Sequence, residues 1–127
     1  MTMLTLEWIE KAEGDFATLL RECRARKNPN YDGVCFHAQQ CVEKYLKAIL
    51  QETGRPIEKT HDLVALLKMV VPVAPLLESY REAMRHLSNY AVVFRYPGAS
   101  ATREDAGDAR KLCISVRDAI RQQLGCQ

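Results

Sequence analysis

The chain has 127 residues, 47% of them hydrophobic and 27% charged, which fits one globular domain spanning 1–127 and excludes a disordered polypeptide. Eighteen Lys and Arg against sixteen Asp and Glu leave a net charge of +2, which excludes a strongly basic nucleic-acid coat. The longest apolar run, Met69 to Leu77 with its prolines counted, falls far short of the roughly 20 residues of a membrane-spanning helix, so no membrane partner is expected.

The N-terminal stretch places Glu7, Glu10, Glu13 and Asp15 where a secretory leader would be basic and then apolar, so the cytoplasm is the expected compartment. The five cysteines are Cys23, Cys35, Cys41, Cys113 and Cys126. They form no CxxC pair and read as free thiols, with Cys35, Cys41 and Cys113 buried and Cys126 exposed near a chain end.

A first helix is predicted from about Leu4 to Lys27. Trp8, Ile9, Ala12, Phe16, Leu19, Leu20 and Cys23 recur at three and four residues on one face. Thr5 is its expected cap, and Gly14 is read as the site of a close helix contact. Pro29 and its flanking asparagines end the pattern. A second helix runs from a cap at Asp32 to about Thr53, with Gly54 as its stop. Cys35, Ala38, Cys41, Val42, Tyr45, Leu46, Ile49 and Leu50 give it an apolar face wide enough for a central helix. Glu43 and Lys47, four apart, make an ion pair in the favourable order.

Thr60 is the expected cap of a short helix through His61, Asp62, Leu63, Leu66 and Leu67, ending before Pro72. A fourth helix is predicted from about Ala74 to Tyr90, with Leu76, Leu77, Tyr80, Met84 and Leu87 as its stripe. In the irregular stretch that follows, Phe94 and Tyr96 are expected to point inward, and Pro97-Gly98 marks a turn. Thr102 and Asp105 form a capping-box variant for a last helix with Ala106, Ala109, Cys113, Val116 or Ile120, and Leu124 on one side, closed by Gly125. The predicted fold is all-α: an antiparallel up-and-down bundle of four main helices with a short additional one.

No GxGxxG, GxxxxGK[ST] or HExxH occurs, and His37, His61 and His86 lie in separate elements, so no cofactor and no metal site are expected. His61 and Asp62 sit at a helix start, where Asp62 suits the positive end and His61 either locks the loop or meets a ligand. Arg81 and His86 form an RxxxxH pair: a guanidinium to hold phosphate and an imidazole to move a proton. Five residues turn a helix by about 500°, so the two side chains point roughly 140° apart and would need a second subunit to share a substrate. Arg85 and Asn89 are four apart and share a face. Arg95, in a loop made rigid by Pro97, either grips a phosphate or carboxylate or pairs with Glu43 or another helix's carbonyl end. On the polar band of the second helix, Gln39 or Gln40 could read a base edge and Lys44 or Lys47 meet a phosphate. The breadth of that helix, with Trp8 and Met84 on others, predicts a homodimer.

Four stretches together resemble the HEPN domain family over about residues 5 to 122. They are Trp8 to Asp15; Phe36-His37-Ala38-Gln39-Gln40-Cys41-Val42-Glu43-Lys44-Tyr45 to Leu50; Thr60-His61-Asp62-Leu63; and Arg95-Tyr96-Pro97. The resemblance implies an up-and-down helical bundle, usually homodimeric, often paired with a minimal nucleotidyltransferase as a toxin–antitoxin module. Under this reading the chain is a non-catalytic binding module for such a partner and for nucleotide. Gln39, Gln40, Lys44, Lys47 and Arg95 then form its ligand-binding set, and Glu43, His61, Asp62, Tyr96 and Pro97 its structural set. Some members are instead metal-independent ribonucleases with an Arg-x(4–6)-His motif assembled between subunits. Arg81 and His86 match that spacing, with Glu82 where those members usually carry a small polar residue and Ser88 where a tyrosine is common. The alternative expectation is therefore an endoribonuclease with a composite Arg81/His86 site acting on RNA.

Overall fold

Sequence periodicity becomes helix in every predicted segment. The computed structural model describes residues 1–126, so Gln127, the last residue of the predicted domain, lies outside the described residues. The order is α1 (Met3–Arg24), α2 (Tyr31–Glu52), α3 (Leu63–Val70), a 3₁₀ helix (Pro75–Tyr80), α4 (Arg81–Val93) and α5 (Arg103–Leu124). The long helices α1, α2, α4 and α5 form an up-and-down bundle with the short α3 inserted, and no strand occurs among the described residues.

α2 packs against all four other α-helices, as its wide apolar face requires. Cys41, Val42, Tyr45, Leu46, Ile49 and Leu50 are buried together with Leu19 of α1, Leu66 and Leu67 of α3, Met84 and Leu87 of α4, and Cys113, Val116 and Ile120 of α5. Each buried Leu or Ile contributes about 1.5–3 kcal/mol relative to exposure. At the bundle's edge Arg117 of α5 grips Glu13 of α1 through two nitrogens, at 2.6 and 2.7 Å, and stacks over the Phe16 ring. The Tyr45 hydroxyl donates to the same carboxylate at 2.6 Å.

Several helix ends differ from the sequence reading. Thr2, not Thr5, caps α1; Thr5 is buried one turn in, its hydroxyl donating to Glu52 at 2.9 Å. Asn30, not Asp32, caps α2 by accepting from Gly33 N at 2.8 Å. Asp32 instead accepts from Ala101 N at 2.7 Å and ties the loop before α5 to α2. Asp62, not Thr60, caps α3. The predicted fourth helix breaks into the 3₁₀ helix and α4, because the tighter winding after Pro75 rotates the stripe and leaves Leu76 81% exposed. Met84 lies wholly in the core and has no surface to offer a partner. Phe94 does pack inward, stacked on Tyr90, but Tyr96 is exposed. A Cβ at Gly14 would meet open space, so no helix approaches closely there. The Thr102–Asp105 capping box and the left-handed Gly125 stop of α5 are as predicted. Cys35, Cys41 and Cys113 are buried as expected, while Cys126 is half-buried instead of exposed.

Among the described residues no helix is long and apolar enough to cross a membrane. No buried side-chain nitrogen or oxygen among them lacks a hydrogen-bond partner.

Candidate functional site

One buried carboxylate organises the polar chemistry of α2. Glu43 is 3% exposed, deep on a helix whose neighbours are apolar. Its Oε1 accepts from His61 Nδ1 at 2.9 Å and Gln39 Nε2 at 3.1 Å, and its Oε2 from Lys47 Nζ at 3.1 Å. Burial pushes the carboxyl's pKa up, but the bonds from His61, Gln39 and Lys47 outweigh it and hold the group below its usual range. Glu43 is therefore a fixed anion inside the bundle.

That anion positions His61. A carboxylate acceptor requires the proton on Nδ1, which leaves Nε2 with its lone pair in the neutral ring. The His61 carbonyl is held as well, accepting from Gln39 Nε2 at 2.7 Å. Asp62 accepts from Val64 N at 3.0 Å, and Ser88 Oγ of α4 accepts from Leu63 N at 3.1 Å, so the loop is fastened to both α3 and α4. Held at backbone and at Nδ1, the His61 side chain is still 72% exposed.

The exposed imidazole faces a hollow of about 450 Å³, lined also by Gln39, Asp62, Arg85, Ser88, Asn89 and Arg95. Arg85 and Asn89 come from one face of α4, and Arg95 from the loop just beyond it. Arg85 pairs with the exposed Glu82 one turn away, a contact worth about 0–1 kcal/mol and readily exchanged for a ligand's anion. Among the described residues Arg95 makes no pair with Glu43; it is exposed and lines the hollow.

The predicted ligand set divides. Gln39, His61, Asp62 and Arg95 are brought together, but both Gln39 amide protons are already spent on His61 O and Glu43. Gln40 donates to Gln39 Oε1 at 2.8 Å and supports the network from the side. Lys44 is bound to Asp15 at 2.6 Å, beside His37, on the α1 side of the helix. Lys47 is buried between Glu43 and the Trp8 ring. Tyr96 and Pro97 are exposed and line no part of the hollow.

Arg81 and His86 do not meet within the chain. Arg81 grips Glu78 through two nitrogens, both at 2.8 Å. His86 lies in a separate groove between α4 and α5 with Glu82, Tyr90, Asp108 and Lys111. Among the described residues no three His, Cys, Asp or Glu side chains are grouped to hold a metal ion. Arg85, Ser88 and Asn89 are the polar lining residues that sequence reasoning leaves without a role; the four-residue spacing of Arg85 and Asn89 is the available signal.

A family model described as the HEPN domain matches residues 5–123. The chain is similar to the crystal structure of TT1696 from Thermus thermophilus at 21% identity and a TM-score of 0.80, covering 94% of this chain and 97% of that one. It is also similar to the structure of ST0689, an archaeal HEPN homologue, at 23% identity and a TM-score of 0.75, covering 94% and 96%. No curated protein matches.

Proposed function

The chain belongs to the HEPN domain family, and from that premise we propose that it binds RNA phosphodiesters in the His61–Arg95 hollow and cleaves them without a metal. The observation that carries this is the imidazole fixed by Glu43 in the hollow that Arg85 and Arg95 line. A histidine oriented by a carboxylate is a general base with a defined free nitrogen, and two guanidiniums suit the charge that gathers on a phosphoryl group. In the step proposed, His61 Nε2 takes the proton of a ribose 2′-hydroxyl. The 2′-oxygen bonds to the adjacent phosphorus and the bond to the 5′-oxygen breaks. That oxygen receives a proton back from the imidazolium, leaving a 2′,3′-cyclic phosphate and a 5′-hydroxyl end.

A second reading uses the same hollow without turnover. The domain then dimerises and serves a minimal nucleotidyltransferase, as in a toxin–antitoxin-like pair in the cytoplasm, with nucleotide as its ligand. Arg81, paired with Glu78, and His86, in its own groove, would need a second subunit to form the composite site. One experiment separates the readings: single-stranded RNA is incubated with pure protein in EDTA, beside His61→Asn, Arg95→Ala and His86→Ala. Cleavage should fall about 100-fold or more in the first two and persist in the third. Loss only in His86→Ala assigns the work to the composite interface site. RNA or nucleotide binding that Arg95→Ala abolishes, with no cleavage by any protein, leaves the binding module. In that case co-purification with the nucleotidyltransferase and sedimentation mass test the partner and the dimer.

A further inference from the structure

A second hollow, about 350 Å³, opens where the end of α1, the start of α2 and the first turns of α5 meet. Arg24, Tyr31, Arg103 and Arg110 line it, along with Cys23 and Gly107, and it shares no residue with the His61–Arg95 hollow. Arg103 and Arg110 are seven apart on α5, two turns on one face, with Gly107 between them. A Cβ at Gly107 would meet open space, so that stretch of the wall is bare backbone.

This recess gathers three arginines and no acid, where the His61–Arg95 hollow holds two arginines beside Asp62. Arg81, Arg85 and Arg117 each pair with a glutamate. No acidic side chain lines this hollow, and among the described residues Arg24, Arg103 and Arg110 make no ion pair and no side-chain hydrogen bond. Two acids of the same helices point a bond elsewhere: Glu22 accepts from Asn30 N at 2.8 Å, and Asp105 from Thr102 N at 2.9 Å in the capping box. Burial pushes the Cys23 thiol's pKa up; the charges of Arg110 and Arg24 act against it and that of Glu22 adds to it, so cations outnumber acids around this wall residue. Three guanidiniums around one recess repel one another unless an anion sits among them, and planar guanidinium forks match phosphate oxygens.

We propose that this hollow is a binding site for a small polyphosphate, held by Arg24, Arg103 and Arg110 with the Tyr31 ring beside it. One recess with three cations suits several negative charges on adjacent phosphates better than a single carboxylate. It also suits them better than an RNA strand, which spreads its charges along a stripe. The polyphosphate is either free in solution or the tail of a nucleotide, whose base would lie against Tyr31.

The test is titration calorimetry with sodium tripolyphosphate and with ATP, on the full chain at low salt. Either ligand should bind once per chain, weakened about tenfold or more by Arg110→Ala and further by Arg103→Ala/Arg110→Ala. Gly107→Met keeps every charge and removes a helix-weakening glycine, yet its side chain fills the recess and should abolish binding. Tighter binding of ATP marks a nucleotide tail; equal binding marks free polyphosphate. In a Cys126→Ser background, tripolyphosphate should slow Cys23 alkylation in the parent and not in Gly107→Met. The proposal falls if the folded protein binds neither ligand at millimolar concentration, or if binding survives Gly107→Met. It falls equally if binding is lost in Arg95→Ala instead, or if an RNA oligonucleotide occupies the hollow and tripolyphosphate cannot displace it. Arg95→Ala should leave this site intact, so failure here and failure of the RNA-cleavage reading are separate results.

Discussion

Replacing Glu43 by Ala should be among the most damaging single changes in this chain. Lys47 is 7% exposed and has Glu43 as its carboxylate; without it an ammonium is left inside the bundle with only the Trp8 face nearby. Gln39 loses one of its two amide partners, and His61 loses its anchor. Breaking a buried ion pair from one side costs about 3–5 kcal/mol, because the remaining charge is uncompensated. For a chain this size each kcal/mol lowers the melting temperature by about 3–4 °C, so the variant should melt roughly 9–20 °C below the parent. Thermal unfolding followed by circular dichroism is the assay. The double variant Glu43→Leu/Lys47→Met isolates the cause: apolar side chains of similar volume should recover much of the loss. A Glu43→Ala variant within about 3 °C of the parent refutes the argument. A double variant no more stable than Glu43→Ala also refutes it, since the penalty would then not come from the orphaned lysine.

Acid should unfold the protein through its held carboxylates. Arg117's hydrogen bonds keep Glu13 below the usual glutamate range against burial, and Glu43 is held low by His61, Gln39 and Lys47. A folded pKa below the unfolded value means full stabilisation above about pH 4.3 and its loss as pH falls through the folded value. Urea midpoints from pH 7 to pH 3 should therefore drop mainly below about pH 4.5, and drop less in Glu13→Gln. A thiol-reactive dye should label at most Cys23 and Cys126 in the native state, since Cys35, Cys41 and Cys113 are buried and burial pushes the Cys35 thiol up to about 12; labelling of a third cysteine before unfolding contradicts this. Asp32→Ala should cost about 1–3 kcal/mol by leaving Ala101 N without its acceptor, and amide exchange at Ala101 should speed up; unchanged exchange there would remove that tether from the account.

Legibility in the sequence follows the range of the interaction. Helix faces set by residues three and four apart are readable, as is the Thr102–Asp105 box, whose two halves are three residues apart. Asp32 misleads because its partner, Ala101, is 69 residues away, while a local rule offers the nearer role of cap. The break at Arg81 is hidden because Leu77, Met84 and Leu87 keep a helical spacing across it; only the exposure of Leu76 shows that the chain winds more tightly there. At the candidate site the residue types are readable and the convergence is not. Gln39, His61, Arg85 and Arg95 come from separate parts of the chain, and which of them meet depends on how α3 and α4 pack on α2.

The band of polar residues on α2 then has a physical role different from the ligand contact its composition suggests. The Glu43 side chain, 3% exposed, has no solvent to receive its charge, so it is tolerable only with its hydrogen bonds supplied by the protein. Lys47, Gln39 and His61 supply them, and in doing so the first two become inaccessible. The third, His61, reaches Glu43 with Nδ1 alone and keeps the rest of its ring outside. Buried charge on α2 thus fixes the direction of a surface imidazole that would otherwise be free to turn about its own side-chain bonds. Stability and site geometry pass through the same carboxylate. A substitution at Glu43 that changes ligand handling must accordingly be compared at equal folded fraction, whereas one at Arg95, on the exposed rim, reports on the ligand alone.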